Sequence, residues 1–379
     1  MKILTAGCGH IGSVLVRDLL SSTPHDITIS DINLIQAQQT RNNIDANIEC
    51  VALDVTDHNT AVALLQNYDM VIGLTPGNIG YRLLQAAIQA KIHCIDLSFM
   101  PENPLNLAPA ALKADVCVIP DCGVAPGLSN ILVGHGATTF DQISNIHIYV
   151  GGNPAHPIPP LDYILTWSLE DLLEEYLRKV TIVKNHHQIE VTALEGLELL
   201  DVPDIGILEA FYTDGLRTLL HSFPTVTNMW EKTLRYPGHR EKIKLLRDLG
   251  FFSNSPITIN GNQITPRSIT QHLLREALTC PDIHDILTMQ IKMYGHRGQQ
   301  QQDYSCHLQT QYDETQGLTA MARTTAYTAS IIIQLLANGD IRLRGIVPPE
   351  RLGMLEPIFD QIMTGLKERD INPIHRYEE

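Results

Sequence analysis

The sequence predicts an α/β protein, a doubly wound parallel sheet followed by an α+β domain, and three observations carry that expectation. Through residue 120, short β-branched runs alternate with amphipathic stretches, the pattern of a parallel sheet covered by helices. A glycine-rich hexapeptide joins the first strand to the first helix. Beyond it, Pro and Gly cluster in GVAPG at 123–127 and in GGNPAHPIPP at 151–160, and the strand-helix alternation stops.

Six strands are expected at 3–6, 27–30, 49–52, 70–74, 93–96 and 116–120. Between the first two, Ile11, Val14, Leu15 and Leu19 recur at helical spacing and supply an apolar stripe. Further on, Leu287, Met289, Ile291 and Met293 alternate with polar residues, and 304–312 follows the turn GHRGQQQQD, which reads as an antiparallel hairpin with its glutamines in a solvated tip. From 318 to 337 the chain is apolar around most of a helix and stops at Asn338-Gly339, a C-cap signal, so a buried helix is expected. The tail, with VPPE at 347–350 and an amphipathic stretch at 352–369, is expected to return to the first domain. The domains are therefore placed at 1–124, 125–317 and 318–379, the last rejoining the first.

A formal net charge of −15 excludes a nucleic-acid surface or an anionic membrane as the partner, since both need concentrated Lys and Arg. No apolar run approaches the ~18 residues that span a bilayer, and glycines interrupt the first apolar run before a secretory core forms. The seven cysteines, at 8, 50, 94, 117, 122, 280 and 306, never form CxxC, and the sixteen histidines are dispersed. Neither a disulfide framework nor a metal is expected, and a reducing cytoplasm fits.

Gly7-Cys8-Gly9-His10-Ile11-Gly12 has the form GxGxxG. Its context gives it meaning: it follows a strand, opens a helix, and a second strand ends in Asp31 about twenty residues on, the signature of a Rossmann dinucleotide unit. Gly7 permits the tight turn, Gly9 lets backbone approach a pyrophosphate, and Gly12 brings helix against strand, while His10 and Ile11 open the helix that faces the phosphates. Asp31 is expected to accept hydrogen bonds from the adenosine ribose. A 2′-phosphate would meet that carboxylate, and Ile32 and Asn33 offer no Arg, so NAD is expected over NADP. Asp54 and Val55 after the third strand, Thr75, Pro76 and Gly77 after the fourth, and Ser98 after the fifth are further cofactor candidates. Cys8 reads as a small residue in the loop.

From residue 96 onward the chain carries DLSFMPENPL at 96–105, DCGVAPGLSN at 121–130, YVGGNP at 149–154, TWSLEDLLEEY at 166–176, FYTDGLRTLL at 211–220, EKTLRYPGH at 231–239 and ARTTAY at 322–327. Together these resemble the saccharopine dehydrogenase-like family, and within it the L-lysine 6-dehydrogenase branch, in order and over nearly the whole chain. The resemblance implies a Rossmann domain joined to an α+β catalytic domain that oxidises the ε-carbon of L-lysine with NAD as hydride acceptor. The imine then hydrolyses to the ε-aldehyde with loss of ammonia, and the aldehyde closes on the α-amine to 1-piperideine-6-carboxylate. DCGxAPG is similar to that branch, whereas saccharopine reductases carry a DCGxDPG-like variant, so Ala125 favours lysine.

Such a reaction needs a partner for the α-carboxylate, an acceptor for the α-ammonium and a base, because an ε-ammonium of pKa about 10.4 releases hydride only once neutral. Arg235, and after it Arg217, are candidates for the bidentate carboxylate pair, with a structural ion pair as the alternative. Asp121 at the end of the sixth strand is a candidate to hold the amine or act as base, or else simply orders the GVAPG turn; Asp96 carries the same ambiguity. His239 titrates in the useful range and adjoins Arg235. Trp167 and Tyr176 are placed in a pocket for the lysine stem or in the core, and Tyr149 near the nicotinamide. The competing functions are a saccharopine or carboxyspermidine-type dehydrogenase and a non-catalytic NAD-binding protein. A homo-oligomer through the catalytic domain is expected.

Overall fold

The computed structural model describes residues 1–22, 24–45, 47–280 and 283–378. They form two compact units. The first comprises Met1–Asp141, Arg217–Pro224 and Ala322–Pro373; the second comprises Gln142–Leu216, Thr225–Met321 and Ile374–Glu379.

The first unit is built on a seven-stranded, all-parallel sheet. Its strands are β1 (Lys2–Ala6), β2 (Asp26–Asp31), β3 (Glu49–Ala52), β4 (Met70–Gly73), β5 (His93–Asp96), β6 (Cys117–Ile119) and, beyond β6, the short strand Gly345–Ile346. The spatial order from that added strand is β6, β5, β4, β1, β2, β3. Strands buried on both faces should be apolar throughout. Ile3, Leu4, Val71, Ile72, Cys94, Ile95, Val118 and Ile119 are indeed fully buried. The chain leaves β1 toward β2 and β3, then returns to place β4 on the other side of β1. That reversal opens a crevice at the carboxyl ends of β1 and β4, the place where open α/β sheets bind ligands.

Helix α1 (His10–Ser22) covers the sheet through Val14, Leu15 and Leu19, as its spacing predicts, each buried aliphatic being worth about 1.5–3 kcal/mol. The long helix Ala320–Ala337 stops at Gly339, whose φ of +82° suits glycine. The tail packs in this unit at the closest approach glycine allows. A Cβ on Gly134 would lie 2.0 Å from the Glu350 carbonyl oxygen, and one on Gly353 would lie 1.9 Å from that of Ile131.

The second unit is a mixed sheet. Its main path runs Glu198–Val202, Gly206–Tyr212, Asn228–Arg235, β7 (Gln142–Pro154), Asp285–Arg297, Gln300–Gln311 and Ile374–Glu378. Only β7 with Asn228–Arg235 is a parallel neighbour along that path. Helices Leu169–Leu177, His239–Asp248 and Pro266–Leu278 contribute Leu172, Leu173, Tyr176, Ile243 and Leu274 to one buried cluster. The expected hairpin is present, with Leu287, Met289, Ile291 and Met293 buried along one row.

The glutamine run corrects the sequence reading. Gln300, Gln301 and Gln302 are not a loop tip but the start of a strand, opposite Arg297, His296 and Gly295. The turn is confined to Gly298 and Gln299 because Gly298 adopts a φ of +62°, which closes a tight hairpin and lets pairing begin at once.

Candidate functional site

The nucleotide loop follows β1. Gly7 has a φ of +110°, and a Cβ there would lie 2.5 Å from the Leu74 carbonyl oxygen, so both conformation and space demand glycine. A Cβ on Gly12 would sit 3.1 Å from the Gly7 carbonyl oxygen, the close helix-strand contact. Around Gly9 there is open space, which leaves its backbone free for a pyrophosphate. On the other side of the crevice, Thr75 Oγ1 is buried with no hydrogen-bond partner among the described residues, Pro76 precedes the helix Gly77–Ala90, and Gly77 is that helix's first residue. An orphaned hydroxyl, an open glycine and two helix N-termini fit a dinucleotide phosphate.

Asp31 ends β2. Its carboxylate accepts hydrogen bonds from Cys8 N at 3.3 Å, Cys8 Sγ at 3.2 Å and Asn33 N at 2.9 Å. Burial and the bond to Asp31 push the Cys8 thiol up to about 12, so it stays protonated. Ile32 is 70% exposed beside it. The remaining candidates divide. Asp54 closes a local turn through Thr56, Val55 is turned into the core, and the Ser98 hydroxyl is directed inward to Asp96.

A carboxylate cluster lies at the carboxyl ends of β5 and β6. Asp96 is fully buried; its Oδ2 accepts from Ser98 N at 3.0 Å and Ser98 Oγ at 2.5 Å, while Oδ1 has no hydrogen-bond partner among the described residues. Room for both side chains comes from missing β-carbons, since a Cβ on Gly73 would lie 1.9 Å from Asp96 Oδ1 and one on Gly80 would lie 1.8 Å from Ser98 Oγ. Burial pushes the Asp96 carboxyl up to about 7, Ser98 acts against that rise, and the neighbouring Asp121 charge adds to it. Asp121 and Arg217, which the sequence assigned to separate tasks, form an ion pair: Arg217 Nε is 3.3 Å from both carboxylate oxygens. Their φ values, +53° and +52°, put both residues in the left-handed region of the backbone. Glu350 of VPPE steadies the Arg217 segment, accepting from Thr218 Oγ1 at 2.9 Å and Ser222 Oγ at 2.6 Å.

The second unit holds another network, around Arg235. Its guanidinium donates through Nε to Tyr176 Oη at 3.3 Å, through Nη1 to the Leu234 carbonyl at 3.0 Å and through Nη2 to Glu175 at 3.3 Å. It also lies 4.8 Å from the Tyr163 ring centroid. Of roughly five guanidinium N–H donors, these bonds leave two. Thr233 Oγ1 donates to the other Glu175 oxygen. The carbonyl of Leu161 only accepts, so His239 Nδ1–H donates to it at 2.7 Å, and Nε2 accepts from Tyr176 Oη at 2.9 Å. Both ring nitrogens are thus engaged. Burial, then the Arg235 charge, pushes the imidazole down to about 3, so the ring sits neutral and orients Tyr176 where the sequence suggested a base.

Trp167 joins this network through Tyr163, donating Nε1–H to its hydroxyl at 3.0 Å. Tyr149 does not; it belongs to a different apolar cluster, with Leu208 and Leu234. Sequence reasoning missed Glu175, Tyr163 and Glu350. The segment EDLLEEY offers four carboxylates, and only the helix's facing shows that Glu175 is one turned inward. Among the described residues no group of His, Cys, Asp and Glu could hold a metal, and no helix is long and apolar enough to cross a membrane.

Comparison with known proteins agrees with this architecture. A family model described as the saccharopine dehydrogenase NADP binding domain matches residues 3–119, and one described as the saccharopine dehydrogenase C-terminal domain matches residues 123–371. The Saccharomyces cerevisiae saccharopine dehydrogenase (NADP(+), L-glutamate-forming) is 25% identical over 268 residues, covering 67% of this chain and 59% of the relative. Mouse mitochondrial alpha-aminoadipic semialdehyde synthase is 22% identical, covering 95% of this chain and 46% of the relative. The chain therefore spans about half the length of these curated relatives. A solved structure, the apo saccharopine dehydrogenase (L-Glu forming) from Saccharomyces cerevisiae, shares the fold over 100% of both chains with a TM-score of 0.81 at 19% identity. On the two family matches, the chain belongs to the saccharopine dehydrogenase family.

Proposed function

We propose that this chain carries out NAD-dependent oxidative deamination of the ε-amine of L-lysine, giving the 6-semialdehyde, which cyclises to 1-piperideine-6-carboxylate, with ammonia and NADH. The observation that carries the reading is Asp96: a buried carboxyl at the end of β5, with one oxygen unpartnered and its affinity for a proton raised to the neutral range. A carboxylate of that kind suits removal of a proton from an ammonium group, the step that must precede hydride loss.

The bound nicotinamide would accept the hydride. The protein's own residues do the rest. Asp121, held by Arg217, offers a fixed negative charge at the end of β6 for an amine. In the second unit, Arg235 is aimed by Tyr176 and Glu175 and keeps N–H groups that suit a carboxylate, with the Tyr163 ring beside it and Trp167 bonded to Tyr163. Asp31 stands where a 2′-phosphate would be repelled, which supports NAD although the family model is described as NADP binding.

Saccharopine oxidation is the second reading, favoured by the names of the relatives. Ala125 in DCGVAPG speaks against it, because the resemblance places an acidic residue there in saccharopine reductases. The deciding experiment follows NADH absorbance with purified protein at pH about 9 to 10, near the lysine ε-amine pKa, against lysine, saccharopine and ornithine. Turnover of lysine supports the proposal; turnover of saccharopine and none of lysine overturns it.

A further inference from the structure

The mixed sheet carries a second cluster of charged side chains on the face opposite Arg235. Thr233, two residues from Arg235, stands opposite Val150, and Val150 stands opposite Met289, so these share one face. Lys292 falls out of step with Met289 by an odd number and points to the other. There Ser305 is flanked directly by Lys292 on one neighbouring strand and by Arg376 on the other. Directly opposed residues project from the same face with β-carbons about 4.5–5.5 Å apart, so the ammonium, the guanidinium and the hydroxyl can converge on one point. Asp303 and His307, two residues to either side of Ser305, share that face, and Tyr294 stands opposite Asp303. These side chains line a cavity of about 170 Å³.

The charges in this cavity are not matched to one another. Asp303 Oδ1 is buried without a hydrogen-bond partner, and no ion pair joins Asp303 to Lys292 or Arg376 among the described residues. A buried acceptor lacking a donor is destabilising. Lys292 Nζ lies 5.9 Å from the Tyr149 ring centroid. His307 is held below its ordinary value by burial and then by the Arg376 and Lys292 charges, so both cations act at one place. In a chain of net charge −15, such a convergence calls for an anion. Two cations against one carboxylate leave a single positive charge, suited to one carboxylate rather than a dianion.

We propose that this cavity is a binding site for a small amino acid, its carboxylate held by Arg376, Lys292 and the Ser305 hydroxyl and its ammonium group directed to Asp303. Ser305 and Asp303 are about 6.8 Å apart along the strand, a span that an α-amino acid bridges with one hydrogen bond of about 2.9 Å at each end. The ligand thus supplies at once the acceptor that the cations lack and the donor that Asp303 lacks. This site is independent of the reaction proposed above.

The test is isothermal titration calorimetry on the full chain with L-alanine, which has no ε-amine to oxidise, and with acetate and inorganic phosphate. L-Alanine should bind saturably and more tightly than either. The Lys292→Met, Arg376→Met double variant should weaken it by at least about tenfold, as charge-assisted bonds to a carboxylate predict, and Asp303→Asn should lower it to the level of acetate. Should the double variant fail to fold, Ser305→Asp places a like charge at the carboxylate position and should abolish binding. Arg235→Lys should leave the alanine heat unchanged, which separates failure here from failure of the lysine reading. Absence of saturable alanine binding, tighter binding of phosphate, or an affinity indifferent to these substitutions overturns the proposal. A loss of oligomer mass in the double variant by analytical ultracentrifugation, with no alanine heat in the parent, would instead make this face a contact between copies.

Discussion

Two buried arginine-carboxylate pairs, one in each unit, are built to opposite ends. Around Arg235 every bonded side chain is itself held: Tyr176, His239, Glu175 and Thr233 are hydrogen-bonded in turn, and the imidazole is fixed in one tautomer. Around Arg217 and Asp121 the bonding is open, because the adjacent Asp96 keeps an oxygen without a partner and a carboxyl that titrates near neutrality. A closed network holds geometry, whereas an open one leaves a proton mobile. The difference fits the proposal that the first network positions and the second moves a proton.

The largest effect is expected from Arg235→Met. Removing one partner of a buried ion pair leaves Glu175 without its counter-charge and should cost about 3–5 kcal/mol, read as a lowered urea midpoint. Asp121→Asn should affect turnover more than folding: the amide keeps shape and some bonding to Arg217 but loses the charge proposed to hold an amine. A fall in stability as severe as that in activity would return Asp121 to a purely structural role.

Stability should also vary with pH. The Asp96 carboxyl is raised in the fold to about 7 from 3.8, so between those values the folded state holds the proton that the unfolded state has lost. Its contribution to stability therefore falls as pH rises through that window, by at most about 1.4 kcal/mol per pH unit. His239 behaves oppositely. Its pKa is lowered to about 3 from 6.5, the unfolded chain binds the proton first, and stability falls as pH drops below 6.5. The two partly cancel between pH 4 and 6.5. Asp96→Asn should expose the acid sensitivity contributed by His239, and His239→Gln should expose the decline with rising pH contributed by Asp96. Parallel stability profiles in the parent and both variants would refute the assignment.

The smallest effect is expected from the cofactor loop. Asp31→Ser with Ile32→Arg should move preference from NAD toward NADP while leaving melting temperature nearly unchanged, since Ile32 is largely exposed. An undiminished NAD preference would remove Asp31 from the ribose.

Much of this was legible beforehand. The six strands of the first unit lie within a residue or so of their expected places because parallel strands buried on both faces are short apolar runs, and runs of that kind are visible in one dimension. The glycines of the nucleotide loop were legible because each serves a backbone constraint met within a few residues. The added strand Gly345–Ile346 was not, being two residues long and recruited from the far end of the chain.

By itself the sequence determined the class of fold, the dinucleotide loop and the roster of polar residues available for chemistry. Only the tertiary structure decided how those residues combine. It paired Arg217 with Asp121 across 96 positions of chain, turned Glu175 inward from among its acidic neighbours, and closed both nitrogens of His239. The reason is range: strand periodicity and turn geometry are settled by neighbours in sequence, whereas burial and charge pairing depend on residues brought close only by folding.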